Sequence, residues 1–206
     1  MKIENFMSGP LAVNSYIVAD EITKKAFIVD PGGHNNNMVN HIKENELDIE
    51  YIILTHGHGD HIGGVNSYLE EYPKAKLIAG IYEKELLENP NLNFSKETCG
   101  IPISLIADKY VTDGETLKLG NMNLTFIHTP GHTLGGISIL VGDVLFSGDT
   151  LFAQSIGRTD FPGSSFADIK ASIQKKLYTL PIDTKVYPGH MGPTTIGFEK
   201  ENNPFV

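Results

Sequence analysis

The stretch Thr55-His56-Gly57-His58-Gly59-Asp60-His61 constrains this chain more than any other. It follows the apolar run Tyr51-Ile52-Ile53-Leu54, so a buried strand is expected to deliver it. Four side chains within six residues each offer a lone pair to a metal. The two interleaved glycines let the backbone bend sharply and aim several side chains inward. Neutral imidazole and carboxylate suit zinc, and also iron and manganese. Further candidates recur downstream. His132 follows Thr129-Pro130-Gly131, Asp149 follows Phe146-Ser147-Gly148, and His190 follows Tyr187-Pro188-Gly189. Each comes just after an apolar strand, where a rigid element positions residues carried on a loop. Singly, each reads as an ordinary loop histidine or turn former. Seven such residues in one strand-then-turn context point to a metal centre. Asp30 also ends a strand, beside Pro31, and is expected to be a buried carboxylate that orients the histidine loop. His34 and His41 read as solvated, and His128 as strand packing.

Composition narrows the class. With 206 residues, 40% apolar and 20% charged, one globular domain over 1–206 is expected. The net charge of -9 matches a phosphate-tracking surface poorly, so a small molecule rather than nucleic acid is the expected partner. Cys99 is the only cysteine, which excludes an internal disulfide and a cysteine-rich zinc site and fits a reducing cytosol. The N-terminus has no apolar signal core, and no apolar run approaches membrane-spanning length. A cytoplasmic protein with no membrane partner is expected.

Strands are expected over 2–7, 14–19, 24–30, 50–55 and 76–79, with short turns giving the first three an antiparallel start. A helix capped by Asn35 is expected over 36–46, another from Asp60 to the stop at Pro73, and a short one over 82–89. Residues 90–110 read as an irregular excursion over the site. Strands follow over 115–119, 122–128, 136–141, 144–147 and 185–187, with a core-packing helix over 166–178 that starts at Ser165. Strand then His56, and strand then His132, hint at two similar halves facing each other.

Asp30, the Thr55–His61 stretch, His132, Asp149 and His190 stand in the order found in the metallo-β-lactamase superfamily, which this chain resembles over nearly its whole length. The narrower resemblance is to glyoxalase II-like hydrolases. It is carried by Asn14-Ser15-Tyr16, Ser147-Gly148-Asp149-Thr150-Leu151-Phe152, Gly157-Arg158-Thr159-Asp160-Phe161-Pro162-Gly163 and Tyr187-Pro188-Gly189-His190. The resemblance implies an α/β fold, an αβ/βα four-layer sandwich of two mixed β-sheets. It implies that His56, His58 and His132 hold one divalent ion, that Asp60, His61 and His190 hold a second, and that Asp149 bridges them. Zinc is the expected ion, with iron or manganese as substitutes. The implied activity is hydrolysis of a thioester such as S-lactoylglutathione, or of a related small ester, by a hydroxide shared between two ions. Asp60 and Asp149 are the implied catalytic ligands, and Arg158 is the plausible anchor for a substrate carboxylate, with a structural ion pair to Asp160 as the competing reading. The helical C-terminal extension that helps glyoxalase II hold glutathione is expected to be absent. Met191 stands where a glycine is usual, and Gly59, smaller than the residue common at its place, is expected to widen the site. Two alternatives carry over. A related branch with a similar Gly-Arg-Thr-Asp-Phe stretch oxidises persulfides with one ferrous iron on the His56, His58 and His132 set. A metal-binding module without turnover is the other. Neither a Gly-x-Ser-x-Gly elbow nor a His-Glu-x-x-His helix occurs.

Overall fold

Every residue of the strand Val13–Ala19 is buried, which requires cover on both of its faces. The computed structural model, which describes all 206 residues, supplies that cover with helices on one side and a second sheet on the other. The first sheet holds β1 (Lys2–Ser8), β2 (Val13–Ala19), β3 (Lys25–Val29), β4 (Asp48–Ile53), β5 (Lys76–Gly80) and β6 (Lys109–Val111), in that spatial order. β1, β2 and β3 pair antiparallel, as the short turns require, and β3 to β6 run parallel. The second sheet begins with β7 (Thr116–Leu119), β8 (Met122–His128), β9 (Ile137–Val141) and β10 (Val144–Gly148). A separate hairpin of β11 (Leu151–Phe152) and β12 (Ser155–Ile156) follows. β13 (Lys185–Pro188) and β14 (Thr194–Thr195) then complete the second sheet, in the order β14-β13-β10-β9-β8-β7.

Side-chain alternation builds the layers. In β3, Ala26 and Ile28 face the helices while Phe27 and Val29 face the second sheet. The helix side is closed by Met38 and Ile42 of α1 (Asn36–Glu44) and by Tyr68 of the helix Val65–Glu71. In β10, Val144 and Phe146 point between the sheets, and Leu145 packs under Ile169 and Ile173 of the helix Phe166–Lys175. The result is the expected helix–sheet–sheet–helix sandwich, with both sheets mixed. Asn35 and Ser165 cap their helices as expected, accepting from the Met38 amide at 3.3 Å and the Asp168 amide at 3.2 Å. No helix is long and apolar enough to cross a membrane.

The structure corrects several expectations. The helix expected from Asp60 to Pro73 is divided into Gly59–Ile62 and Val65–Glu71. Its apolar spacing is helical, but Gly63 and Gly64 lie flat against residues 31–33. The Gly64 amide donates to the Pro31 carbonyl at 2.7 Å, and a Cβ on Gly63 would come within 2.4 Å of the Gly32 oxygen. The excursion over 90–110 contains the helix Ser95–Cys99 and ends in β6 at the edge of the first sheet. The β11–β12 hairpin, β14 and the helix Ile196–Asn202 carried no clear sequence signal.

Phe146 is fully buried between the sheets, with its ring 5.2 Å from Tyr16 and 5.7 Å from Tyr187. Phe146→Ala is expected to destabilise the fold by about 3–5 kcal/mol, read from the urea midpoint. A loss below about 1 kcal/mol would contradict this packing.

Candidate metal centre

The direction of the strands gathers the site. β3 and β4 run parallel, so Asp30 and the Thr55–His61 stretch leave the first sheet at one end. β8, β10 and β13 share one direction in the second sheet and deliver His132, Asp149 and His190 together. The Ile137 amide donates to the Thr55 carbonyl at 2.8 Å and joins the two ends.

All seven sequence-derived ligands meet here. The ligand atoms of His56, His58 and His132 lie within 4.8 Å of one another, and so do those of Asp60, His61 and His190. His58 Nδ1 stands 2.9 Å from His132 Nε2. Asp149 lies between the sets, with Oδ1 3.3 Å from His61 Nε2 and Oδ2 3.7 Å from both His132 Nε2 and His190 Nε2. Asp60 Oδ2 is 3.2 Å from His190 Nε2.

The remaining ring nitrogens are tied elsewhere. Asp30 is buried and accepts on Oδ1 from the Thr55 amide at 2.7 Å. Its Oδ2 accepts from the Thr55 hydroxyl at 2.5 Å and from His61 Nδ1 at 2.9 Å. It thus contacts both the root of the histidine loop and the His61 ring, and its carboxylate also lies within 4.8 Å of ligand atoms of His56 and His61. His132 Nδ1 donates to the Arg158 carbonyl at 2.8 Å, which leaves Nε2 as its free lone pair. His56 Nε2, His61 Nε2 and Asp149 Oδ1 are buried without a hydrogen-bond partner. Each such orphan costs about 1–3 kcal/mol, and a divalent cation at the convergence of these atoms removes the cost. The donor set of imidazoles and carboxylates fits such a cation.

Charge is unevenly divided between the sets. Burial, together with the neighbouring His61 and His132, holds His56 far below the ordinary imidazole range. Burial, reinforced by His132, lowers His58 to about 3. Both are neutral near pH 7, the form that can ligate a metal. Burial acts to lower His61 as well, but the carboxylates of Asp149, Asp60 and Asp30 override it and raise this group. Burial would raise Asp60 and Asp149, yet the surrounding histidines hold both low.

A cavity of about 510 Å³ opens over the histidines, walled by Leu11, Phe94, Phe152, Phe161 and Met191, with Arg158 at its edge. Phe94 and Phe161 pack against each other with tilted rings 5.3 Å apart, and their rings stand 5.8 Å and 5.2 Å from His58. Neither phenylalanine was marked as a site residue by sequence; the available signal for Phe161 was its place in the Gly157–Gly163 stretch. Arg158 is placed where its ion-pair reading puts it, against Asp160, and also on the wall of the cavity. It lines the cavity, yet its exposed guanidinium makes a two-pronged pair with Asp160 at 2.9 and 2.7 Å and lies 4.3 Å over the Phe161 ring.

Gly59 does not widen the site. A Cβ there would lie 2.3 Å from Thr98 Oγ1 and 2.4 Å from Ser95 Cα, because the helix Ser95–Cys99 fills the space. The Gly59 amide donates to the Asn93 carbonyl at 2.6 Å, which docks the excursion onto the histidine loop and sets Phe94 over His58. β2 holds the His190 turn: Tyr16 Oη donates to the Pro188 carbonyl at 2.6 Å, and Asn14 Nδ2 to the Met191 carbonyl at 2.8 Å.

The Metallo-beta-lactamase superfamily profile matches residues 8–190. The chain belongs to this superfamily. Hydroxyacylglutathione hydrolase GloC of Haemophilus influenzae is 35% identical over all of this chain and 98% of its own length. The crystal structure of the BLEG-1 B3 metallo-beta-lactamase is 38% identical, with a TM-score of 0.91 over 99% of both chains. TTHA1623, solved in a di-iron-bound form, is 30% identical, with a TM-score of 0.86 over 98% of this chain and all of that one. Members of the superfamily bind divalent metals, and the two histidine–aspartate sets of this chain fit such a site.

Met191 adopts φ 69, the left-handed region in which a glycine is relaxed, and its side chain is exposed. Met191→Gly is expected to stabilise the fold by about 1 kcal/mol, read as an upward shift of the urea midpoint. A downward shift would show that the Met191 side chain contributes more than its backbone costs.

Proposed function

We propose that this chain is a dinuclear metal-dependent hydrolase that cleaves a small acyl thioester or ester. The observation that carries the reading is Asp149, one carboxylate in contact with histidines of both sets. His56, His58 and His132 would hold the first ion, and Asp60, His61 and His190 the second. Asp149 is shared. Zinc is the natural occupant of such donors, and the di-iron form of TTHA1623 supports iron as a substitute. Two divalent ions supply Lewis acidity toward a carbonyl oxygen and lower the pKa of a water enough for nucleophilic attack near neutral pH.

The chain's own residues do the rest. Asp30 fixes the His61 ring, and the Arg158 carbonyl fixes the His132 ring, so the ligand nitrogens face inward before any ion arrives. Asp60 and Asp149 place negative charge on the second set, offsetting the repulsion between two dications. Phe94 and Phe161 shield the first set from bulk water and offer an apolar wall to the substrate. The guanidinium of Arg158 receives a substrate carboxylate once Asp160 yields it, which an exposed ion pair does at little cost. The name of GloC supports a hydroxyacyl thioester of glutathione as substrate. BLEG-1 favours a second reading, in which the scissile bond is the strained amide of a β-lactam.

The deciding experiment pairs metal content per chain with turnover of S-lactoylglutathione, a simple acyl-thioester panel and a chromogenic β-lactam. Two equivalents with thioester turnover are expected. Asp149→Ala should lower kcat/KM at least about a hundredfold and leave no more than one equivalent bound. Unchanged turnover in that variant would sink the reading. One equivalent of iron with oxygen uptake from glutathione persulfide would replace it with the dioxygenase, and a metal-replete protein inert on the whole panel would replace it with a binding module.

Arg158→Ala should raise KM about tenfold for a carboxylate-bearing thioester while leaving kcat and neutral substrates unchanged. An equal effect on neutral substrates would deny the guanidinium this role.

A further inference from the structure

One buried carboxylate lies behind the first histidine set and has no part in the chemistry above. Glu83 ends the single 3₁₀ turn Ile81–Glu83 that follows β5, and it is 1% exposed. The Thr133 hydroxyl donates to its Oε1. The amides of Gly57 and Gly135 also face the carboxylate, although Oε2 has no partner of full hydrogen-bond geometry. Both glycines let the loops pass close to Glu83, and Gly135 has no room for a side chain. A Cβ on Gly57 would lie 3.3 Å from Glu83 Oε2, and one on Gly135 only 2.2 Å from the Glu83 amide nitrogen.

Folding alone does not explain such a group. Burial pushes its pKa up to about 7, against the pull of the Thr133 hydroxyl and the two amides. A buried carboxyl costs stability unless it is well paired or hydrogen-bonded. Its placement offers another reason. Gly57 sits between His56 and His58, and Thr133 follows His132. The first loop leaves the first sheet through β4, and the second leaves the second sheet through β8. Glu83 is thus in contact with both loops that carry the first set. Asp30 does the equivalent for the second set, where it holds His61 and the Thr55 backbone.

We propose that Glu83 is the positioning residue of the first metal set, clamping the His56–His58 loop to the His132 loop at the separation that lets three imidazoles share one ion. This rests on the metal reading of the site given above. Three donors face Glu83, and the ionised carboxylate can accept from all of them. Glutamine presents an NH₂ to one of those donors and pushes the loops apart. The second set, fixed by Asp30, does not feel the change.

The test is a zinc titration of histidine-¹⁵N-labelled protein near neutral pH, in which imidazole shifts report each ligand separately. Glu83→Gln is expected to weaken zinc binding at His56, His58 and His132 by about tenfold or more, the usual scale for losing a partner behind the ligands. His61 and His190 should stay within about twofold of the parent, a split that a general structural role does not produce. Thr133→Val should show the same selective loss, smaller in size. Equal losses at both sets, or no loss at either, would overturn the proposal. If Glu83→Gln fails to fold, Thr133→Val decides by the same criteria. A parent that binds no zinc would fell the metal reading and this inference together, whereas a binding parent with unaltered variants fells only this inference.

Discussion

Everything around the site follows from keeping a few buried lone pairs free. A nitrogen that is to hold a metal cannot also be a satisfied hydrogen-bond partner, yet a buried nitrogen without a partner is costly. His56 Nε2, His61 Nε2 and Asp149 Oδ1 are left in that state. The protein tolerates it by tying down the atoms on the other side of each ring. Asp30 takes His61 Nδ1, and the Arg158 carbonyl takes His132 Nδ1. Each tie selects the tautomer and the ring orientation, so the free lone pairs converge instead of turning toward solvent.

That convergence needs two independent supports, because the ligands come from both sheets. Parallel pairing of β3 with β4 brings Asp30 beneath the histidine loop, and the common direction of β8, β10 and β13 brings His132, Asp149 and His190 to face it. Loops then meet across the sandwich through contacts that are not periodic: Asn14 and Tyr16 on the His190 turn, and Glu83 on two ligand loops. Asp30, Phe94 and Met191, at the centre or its cavity, hold positive φ of 46°, 57° and 69°, as Ala12, Lys24, Glu46 and Gln154 do outside it. The two sets also differ in composition, since the first is three imidazoles and the second contains the carboxylate of Asp60. Asp149 between them ties the unlike halves into one site.

Much of this was legible before any coordinates. Apolar runs announced the strands, and the strand-then-turn context of His56, His132, Asp149 and His190 announced the candidate ligands. Both signals are local: a strand's two faces and a ligand's loop are set by residues within a few positions. The errors share a cause as well. Gly59 reads as a gap when only its size is known, but the helix Ser95–Cys99, some 40 residues away, fills that gap. The helix after Asp60 reads as continuous because its apolar spacing is, and it breaks where Gly63 and Gly64 meet the Pro31–Gly33 backbone.

The sequence by itself determined which atoms can ligate and that they sit on loops after apolar strands, while the stacking of two sheets came from the resemblance to the superfamily. Only the tertiary structure decided how near these side chains come to one another, which nitrogens of His61 and His132 are tied by hydrogen bonds, and that Glu83 and Phe94 lie against the site. Ligand chemistry belongs to a side chain and can be read from its letter. The meeting of two loops depends on how two sheets twist and pack, and no stretch of a few residues records that.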